Sequence, residues 1–215
     1  MTIEGIRLKV LEFRRKFFAK YRQKKINKQK FTIISNNCWG GEVYESYNLI
    51  KQSPTVGLFL WASDYIKFIS NLQQYLNQPL KFIDPKESNY YEKLKLTPGY
   101  GTYPVARLDD IEIFFMHYSS KKQVLEKWNR RIKRIKWDHI LYKFNDQNGC
   151  TEEDIRNFVN LPMRNKICFT VNDKFGHFPN VIKIKAPKNH KFIRASYEPF
   201  GKNKYIDINH LINSL

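Results

Sequence analysis

From Phe31 onward, short runs rich in β-branched and aromatic residues alternate with longer amphipathic segments. This alternation constrains the fold more than any other feature. An apolar run of about four to eight residues between turn residues reads as a buried strand, and a stripe of 3.6-residue period as a helix. The strand candidates are FTIIS (31–35), VGLFL (56–60), LKFI (80–83), HILYKF (139–144), NKICFT (165–170) and NVIKI (180–184). EVYESYNLIK (42–51), DYIKFISNLQQYL (64–76), SKKQVLEKWNRRIKRIKW (120–137), CTEEDIRNFVNL (150–161) and INHLINSL (208–215) read as helices. Tyr65, Phe68, Ile69, Leu72 and Leu76 share one stripe, and Val124, Leu125, Trp128, Ile132 and Ile135 share another. Thr151 with Asp154 three residues on is a capping box. In YGTYPVARLDDIEIFFMHY (100–118) two strand-like runs flank Asp109 and Asp110, the pattern of a hairpin.

Alternating β and α units imply a mostly parallel sheet covered on both faces. The expected fold class is therefore α/β. It is a three-layer α/β/α domain over residues 31–215 with a mixed sheet, to which the hairpin adds an antiparallel pair. A chain of 215 residues suits one such domain. Its apolar runs are far shorter than a bilayer span, and the N-terminus has no uncharged leader. Cys38, Cys150 and Cys168 are too far apart to form a CxxC pair, so no zinc site and a reducing, cytoplasmic compartment are expected.

Residues 1–30 form a separate basic arm. They hold eleven Lys and Arg against Glu4 and Glu12, a net +9 out of the whole chain's +18. Ile6, Val10, Phe13, Phe17 and Tyr21 fall on one helical face, widened by Leu11 and Phe18. Three readings stay open. The helix packs on the body with a solvated basic face, lies at an anionic membrane, or contacts nucleic-acid phosphates. Nucleic acid is the least expected of the three. Lys127, Arg130, Arg131 and Arg134 make a second basic strip, read as a solvated face or a contact for an anionic partner.

In open α/β sheets, ligands bind outside the carboxyl ends of the strands. The first strand exits into Asn36, Asn37, Cys38, Trp39, Gly40 and Gly41 just before a helix. Glycines there let a ligand approach the backbone, and amide N–H groups at a helix start suit phosphate or carboxylate. The equal alternative is a glycine turn that hands a strand to a helix. Neither GxGxxG nor GxxxxGK[ST] is present, so no nucleotide motif is matched and the cofactor stays unknown at this point. Asp64, His117 and Asp146 also stand at strand exits and are acid–base candidates. Cys38 near a helix start, with His117 as base and Asp146 as orienting acid, is a nucleophile candidate. A small buried cysteine is the commoner use of that residue.

The runs FTIISNNCWGG…YNLIKQSPTVGLFLWASDYIKFISNLQQYL, YPVARLDDIEIFFMHY, KWNRRIKRI and CTEEDI…F…LP…NK resemble the bacterial DUF1919 family, a domain of unknown function. The resemblance covers about residues 30–210 and leaves the arm largely outside it. Where the family pattern has an acidic-basic-acidic trio before CTEE, this chain has Asp146, Gln147 and Asn148. The resemblance implies an α/β fold and an association with capsule or exopolysaccharide synthesis, and supplies no catalytic residues. The expected function is thus binding of an anionic sugar donor or lipid-linked glycan, as a transferase or otherwise. The arm would hold the protein at the inner face of the membrane. The alternatives are a Cys38-dependent hydrolase or acyltransferase, and a non-catalytic assembly or regulatory partner docking through 120–137.

Overall fold

The computed structural model describes residues 2–97, 99–187 and 190–215. Helices α1 (Ile3–Phe17) and α2 (Ala19–Gln23) precede strand β1 (Thr32–Ser35), which is followed by helices α3 (Trp39–Ser46), α4 (Ala62–Ser70) and α5 (Leu72–Leu76). Strand β2 (Lys81–Ile83) leads through the short helix α6 (Tyr91–Leu94) to β3 (Val105–Leu108) and β4 (Ile111–Phe114). The remainder is α7 (Lys121–Ile132), β5 (Ile140–Asn145), α8 (Glu152–Asn160), β6 (Lys166–Thr170), β7 (Val181–Lys183) and α9 (Ile208–Asn213).

Strands β1, β5, β6 and β7 form a parallel sheet in that order. Successive side chains of a strand point to opposite faces, and both faces are apolar here. Ile34, Phe144 and Cys168 pack with α4, α7 and α8 on one side. Ile33, Leu141, Ile167 and Phe169 pack with α3 and α9 on the other. The result is the three-layer α/β/α arrangement. Aromatic burial dominates it. The Tyr65 and Phe144 rings stack at 5.5 Å, and the Tyr65 hydroxyl donates to the Ile34 carbonyl at 2.8 Å. Each such ring, fully buried, contributes on the order of 1.5–3 kcal/mol.

The hairpin forms as expected, turning at Asp109 with φ +57°. It joins β2 in a separate antiparallel sheet, β2-β3-β4, rather than the parallel one. The segment between the two sheets is VGLFL, which does not form the strand its composition suggests. It makes one bridge, Phe59 with Phe114, while the Leu60 N–H donates to the Asn36 carbonyl. Gly57, at φ +81°, turns the chain out of any extended ladder. The helix expected over 64–76 is broken at Asn71 (φ −136°, ψ 45°) into α4 and α5. The Thr151–Asp154 capping box closes at the start of α8.

The arm is helical but docks the opposite way from a simple amphipathic helix. Its body-facing side is mixed, with Leu8 and Leu11 half-buried there beside Arg15 and Glu4, and Ala19 buried. Arg15 is buried and pairs with Glu42 of α3 at 2.8 Å. Arg22 donates to the carbonyls of Arg14, Arg15 and Ser46 and lies over the Phe200 ring. Glu4 accepts from the Tyr197 hydroxyl. The aromatic face is left in solvent, with Phe13 61%, Phe17 66% and Tyr21 61% exposed. The helix thus packs on the body with Arg7, Lys9, Arg14, Lys16 and Lys20 in solvent, and the aromatic stripe does not take part in that packing.

Candidate functional site

A cavity of about 630 Å³ opens at the carboxyl ends of β1 and β5. Five stretches far apart in sequence line it. They are Asn37 and Cys38 after β1, Phe59 and Trp61, Met116 and His117 after β4, Gln147 to Gly149 after β5, and Phe192 to Ser196. Glu42, Thr97 and Tyr103 complete the wall.

Asn37 ties the site to the core. Its Oδ1 accepts from the Trp39 N–H at 3.1 Å, the Ser35 hydroxyl at 3.1 Å and Lys143 Nζ at 2.9 Å. This orients the start of α3 without a side chain at the cap position itself. Beneath it, Lys143 and Glu198 form an ion pair with neither side chain exposed, Nζ standing 2.6 and 2.7 Å from the two carboxylate oxygens. Asn145 donates to the same carboxylate at 2.8 Å. Burial pulls the Lys143 pKa down and pushes the Glu198 pKa up, while each partner opposes the other's shift. A buried pair of this kind is stable only when its remaining hydrogen-bonding capacity is filled, and the two asparagines do that.

The glycines of the first exit serve packing. A Cβ on Gly41 would lie 2.8 Å from Val56 Cγ1, and one on Gly40 would lie 3.1 Å from Ile33 Cγ2. They let α3 press against β1 and the 56–60 segment, and neither lines the cavity. Trp39 is also buried, its indole N–H donating to the Pro199 carbonyl at 2.8 Å. Asn36 lies under the floor and donates to Asn145 Oδ1 at 2.9 Å.

Of the acid–base candidates, only His117 lines the cavity. Burial lowers its pKa, so the imidazole is neutral at neutral pH. Asp64 is held by the Tyr90 hydroxyl at 2.8 Å and the Glu112 N–H at 2.9 Å. Asp146 accepts from the Val171 N–H, the Ile193 N–H and the Thr170 hydroxyl, which anchors the 192–196 segment. These bonds occupy the carboxylate away from His117. Cys38 shares the cavity with His117, but burial pushes its thiol up to about 12. The helix start does not offset that desolvation, so a resting thiolate is disfavoured.

Sequence reasoning passed over the residues with the most to offer. Burial pushes Glu42 up to about 7, against the pull of Arg15. That places a proton-exchanging carboxyl in the cavity wall near neutrality. The apolar wall comes from Phe59, Trp61, Tyr103 and Phe192. Trp61 stacks on Tyr90 with centroids 5.1 Å apart, and its buried indole N–H has no partner among the described residues. Asn37, Gln147 and Asn148 bring amides, and Arg194 brings a cation at the rim. Lys143 carried a readable signal, since it shares a strand face with the buried Leu141. Glu42 and the aromatic wall carried none, because they meet only through tertiary folding. Among the described residues, no group of three or more His, Cys, Asp and Glu is placed to hold a metal ion.

Comparison with known proteins agrees with the motif resemblance. A protein of Haemophilus influenzae described as uncharacterised is 33% identical over 206 residues, covering 95% of this chain and 93% of that one. The model of the family described as Domain of unknown function (DUF1919) matches residues 9–215. That match begins inside α1, so it takes in much of the arm that the quoted motifs had left outside. On both counts the chain belongs to the DUF1919 family.

Proposed function

We propose that the cavity binds the sugar-phosphate part of an anionic sugar donor or lipid-linked glycan, in the synthesis of a surface polysaccharide. One observation supports this reading above the others. Four aromatic side chains and three amide side chains line one cavity of about 630 Å³ at the strand carboxyl ends. Sugars present apolar ring faces and a girdle of hydroxyls, and such a wall matches both. Arg194 at the rim suits a phosphate. The association implied by the family resemblance favours a sugar over other ligands with apolar faces.

As a transferase, Glu42 takes the proton of an acceptor hydroxyl as that oxygen bonds to the sugar's anomeric carbon, and the bond from that carbon to the phosphate oxygen breaks, releasing the phosphate group with the bond's electron pair. The protein acts in the cytoplasm, at the inner face of the membrane where lipid-linked intermediates are reached. Cys38 as a nucleophile is disfavoured by the thiol's burial. The test is a panel of nucleoside diphosphate sugars and polyprenyl diphosphate sugars, read by thermal shift and tryptophan fluorescence. At least one is expected to stabilise the chain, and Phe192→Ala is expected to weaken that response. No response from any member would refute the reading.

A further inference from the structure

We infer that α1 and α2 form a docking surface for an anionic lipid bilayer. The inference stands apart from the identity of the cavity's ligand. Its starting point is the inverted seating of the arm. Helix α1 meets the body through the Arg15–Glu42 pair, the Tyr197–Glu4 bond and the half-buried Leu8 and Leu11. Arg22 of α2 secures the junction by donating to three backbone carbonyls. These contacts fix the rotation of the helices. Ile3, Ile6, Val10, Phe13, Phe17 and Tyr21 are consequently held in water as one stripe, with Ile3 89% exposed. Phe13 and Phe17 stack on each other at 5.2 Å, and Phe18 packs edge-on against Phe17. A contiguous apolar stripe of this kind marks an interaction surface.

The charge around the stripe selects the partner. Arg7, Lys9, Arg14, Lys16, Lys20, Lys24 and Lys25 are all exposed beside it. Of the two acids in residues 1–30, Glu4 is bonded to Tyr197 and Glu12 is paired with Lys16 at 2.7 Å. An aromatic stripe flanked by lysine and arginine matches the boundary between acyl chains and anionic headgroups. A second copy of the arm would bring like charge against like charge. Nucleic acid would satisfy the cations but leave the aliphatic part of the stripe in water. On its opposite side, helix α1 reaches the wall of the cavity through the Arg15–Glu42 pair.

The test is co-flotation of the full chain with phosphatidylcholine vesicles, with and without phosphatidylglycerol. Strong binding is expected only when phosphatidylglycerol is present, and it should weaken as salt is added. The variant Phe13→Ala/Phe17→Ala should bind the mixed vesicles at least about tenfold less, since each ring removes apolar burial in the bilayer. Both rings are exposed, so the variant should melt with the wild type, and a thermal scan checks this. Lys9→Gln/Lys16→Gln/Lys20→Gln should also weaken binding, by reducing its phosphatidylglycerol dependence. Three results would overturn the inference: no binding to mixed vesicles, undiminished binding by the Phe variant, or sedimentation showing that the stripe drives self-association without lipid.

Discussion

Replacing Lys143 with methionine tests whether the buried pair braces the cavity floor. Methionine nearly fills the lysine's volume, so the change removes charge more than packing. Glu198 then keeps only the amide of Asn145 at 2.8 Å and that of Asn37 at 3.4 Å. Its side chain has no exposure to water, so an ionised carboxylate there is uncompensated. Removing one member of a buried pair costs about 3–5 kcal/mol. The cost must depend on pH. Burial already raises the Glu198 pKa, and losing Lys143 raises it further. A carboxyl with a raised folded-state pKa holds more protons folded than unfolded, so stability falls as pH rises between the two values. The penalty of Lys143→Met should therefore be small near the unfolded-state glutamate pKa, about 4.3. It should reach its full size above the new folded-state pKa. Urea denaturation of variant and wild type across pH, read by circular dichroism, measures the difference. The double variant Lys143→Met/Glu198→Gln should recover much of the loss at alkaline pH. A single-variant cost below about 1 kcal/mol, or one that does not change with pH, would refute the argument.

Three further outcomes follow from the geometry. Glu42 titrates near 7 in the fold against an ordinary value of 4.5, so its contribution to stability is present at acid pH and lost as pH rises through about 7; Glu42→Gln should flatten that part of the stability–pH curve, measured by urea denaturation. Cys38 should label with iodoacetamide more slowly than free cysteine at neutral pH, because its thiol sits at about 12, and unfolding should restore ordinary reactivity. Gly41→Ala gains up to about 1 kcal/mol of helix propensity but sets a methyl group 2.8 Å from Val56 Cγ1; overpacking costs about 1–3 kcal/mol, so a net loss is expected in thermal denaturation, and a stabilised variant would contradict the packing role.

The local periodicities predicted most of the architecture. Five of the six apolar runs became strands of the two sheets, and the Asp109–Asp110 turn and the Thr151 capping box appear as read. These features depend on neighbours within a few residues, and sequence displays such neighbours directly. VGLFL has a strand's composition, yet its backbone bonds go to Asn36, Phe114 and His117 at three separate places. Only the assembled fold decides that. The carboxyl end of β1 lines a cavity through Asn37 and Cys38, but the other residues expected there do other things. Gly40 and Gly41 went to packing, Asp64 and Asp146 to anchoring, and Glu42 with the aromatic wall came from elements that sequence could not bring together.

The arm draws the same line most sharply. Its sequence determined that a helix would form with an aromatic face and a basic surround. Which face would meet the body depended on Glu42, Ser46 and Tyr197, which lie far away in the chain. Directed ion-pair and backbone hydrogen bonds at those positions seat the polar side, because groups left unpaired against the body would lose water without replacement. The half-buried Leu8 and Leu11 share that docked side, and the stripe opposite is left without burial in the isolated chain. Tertiary structure thus decided that it faces outward.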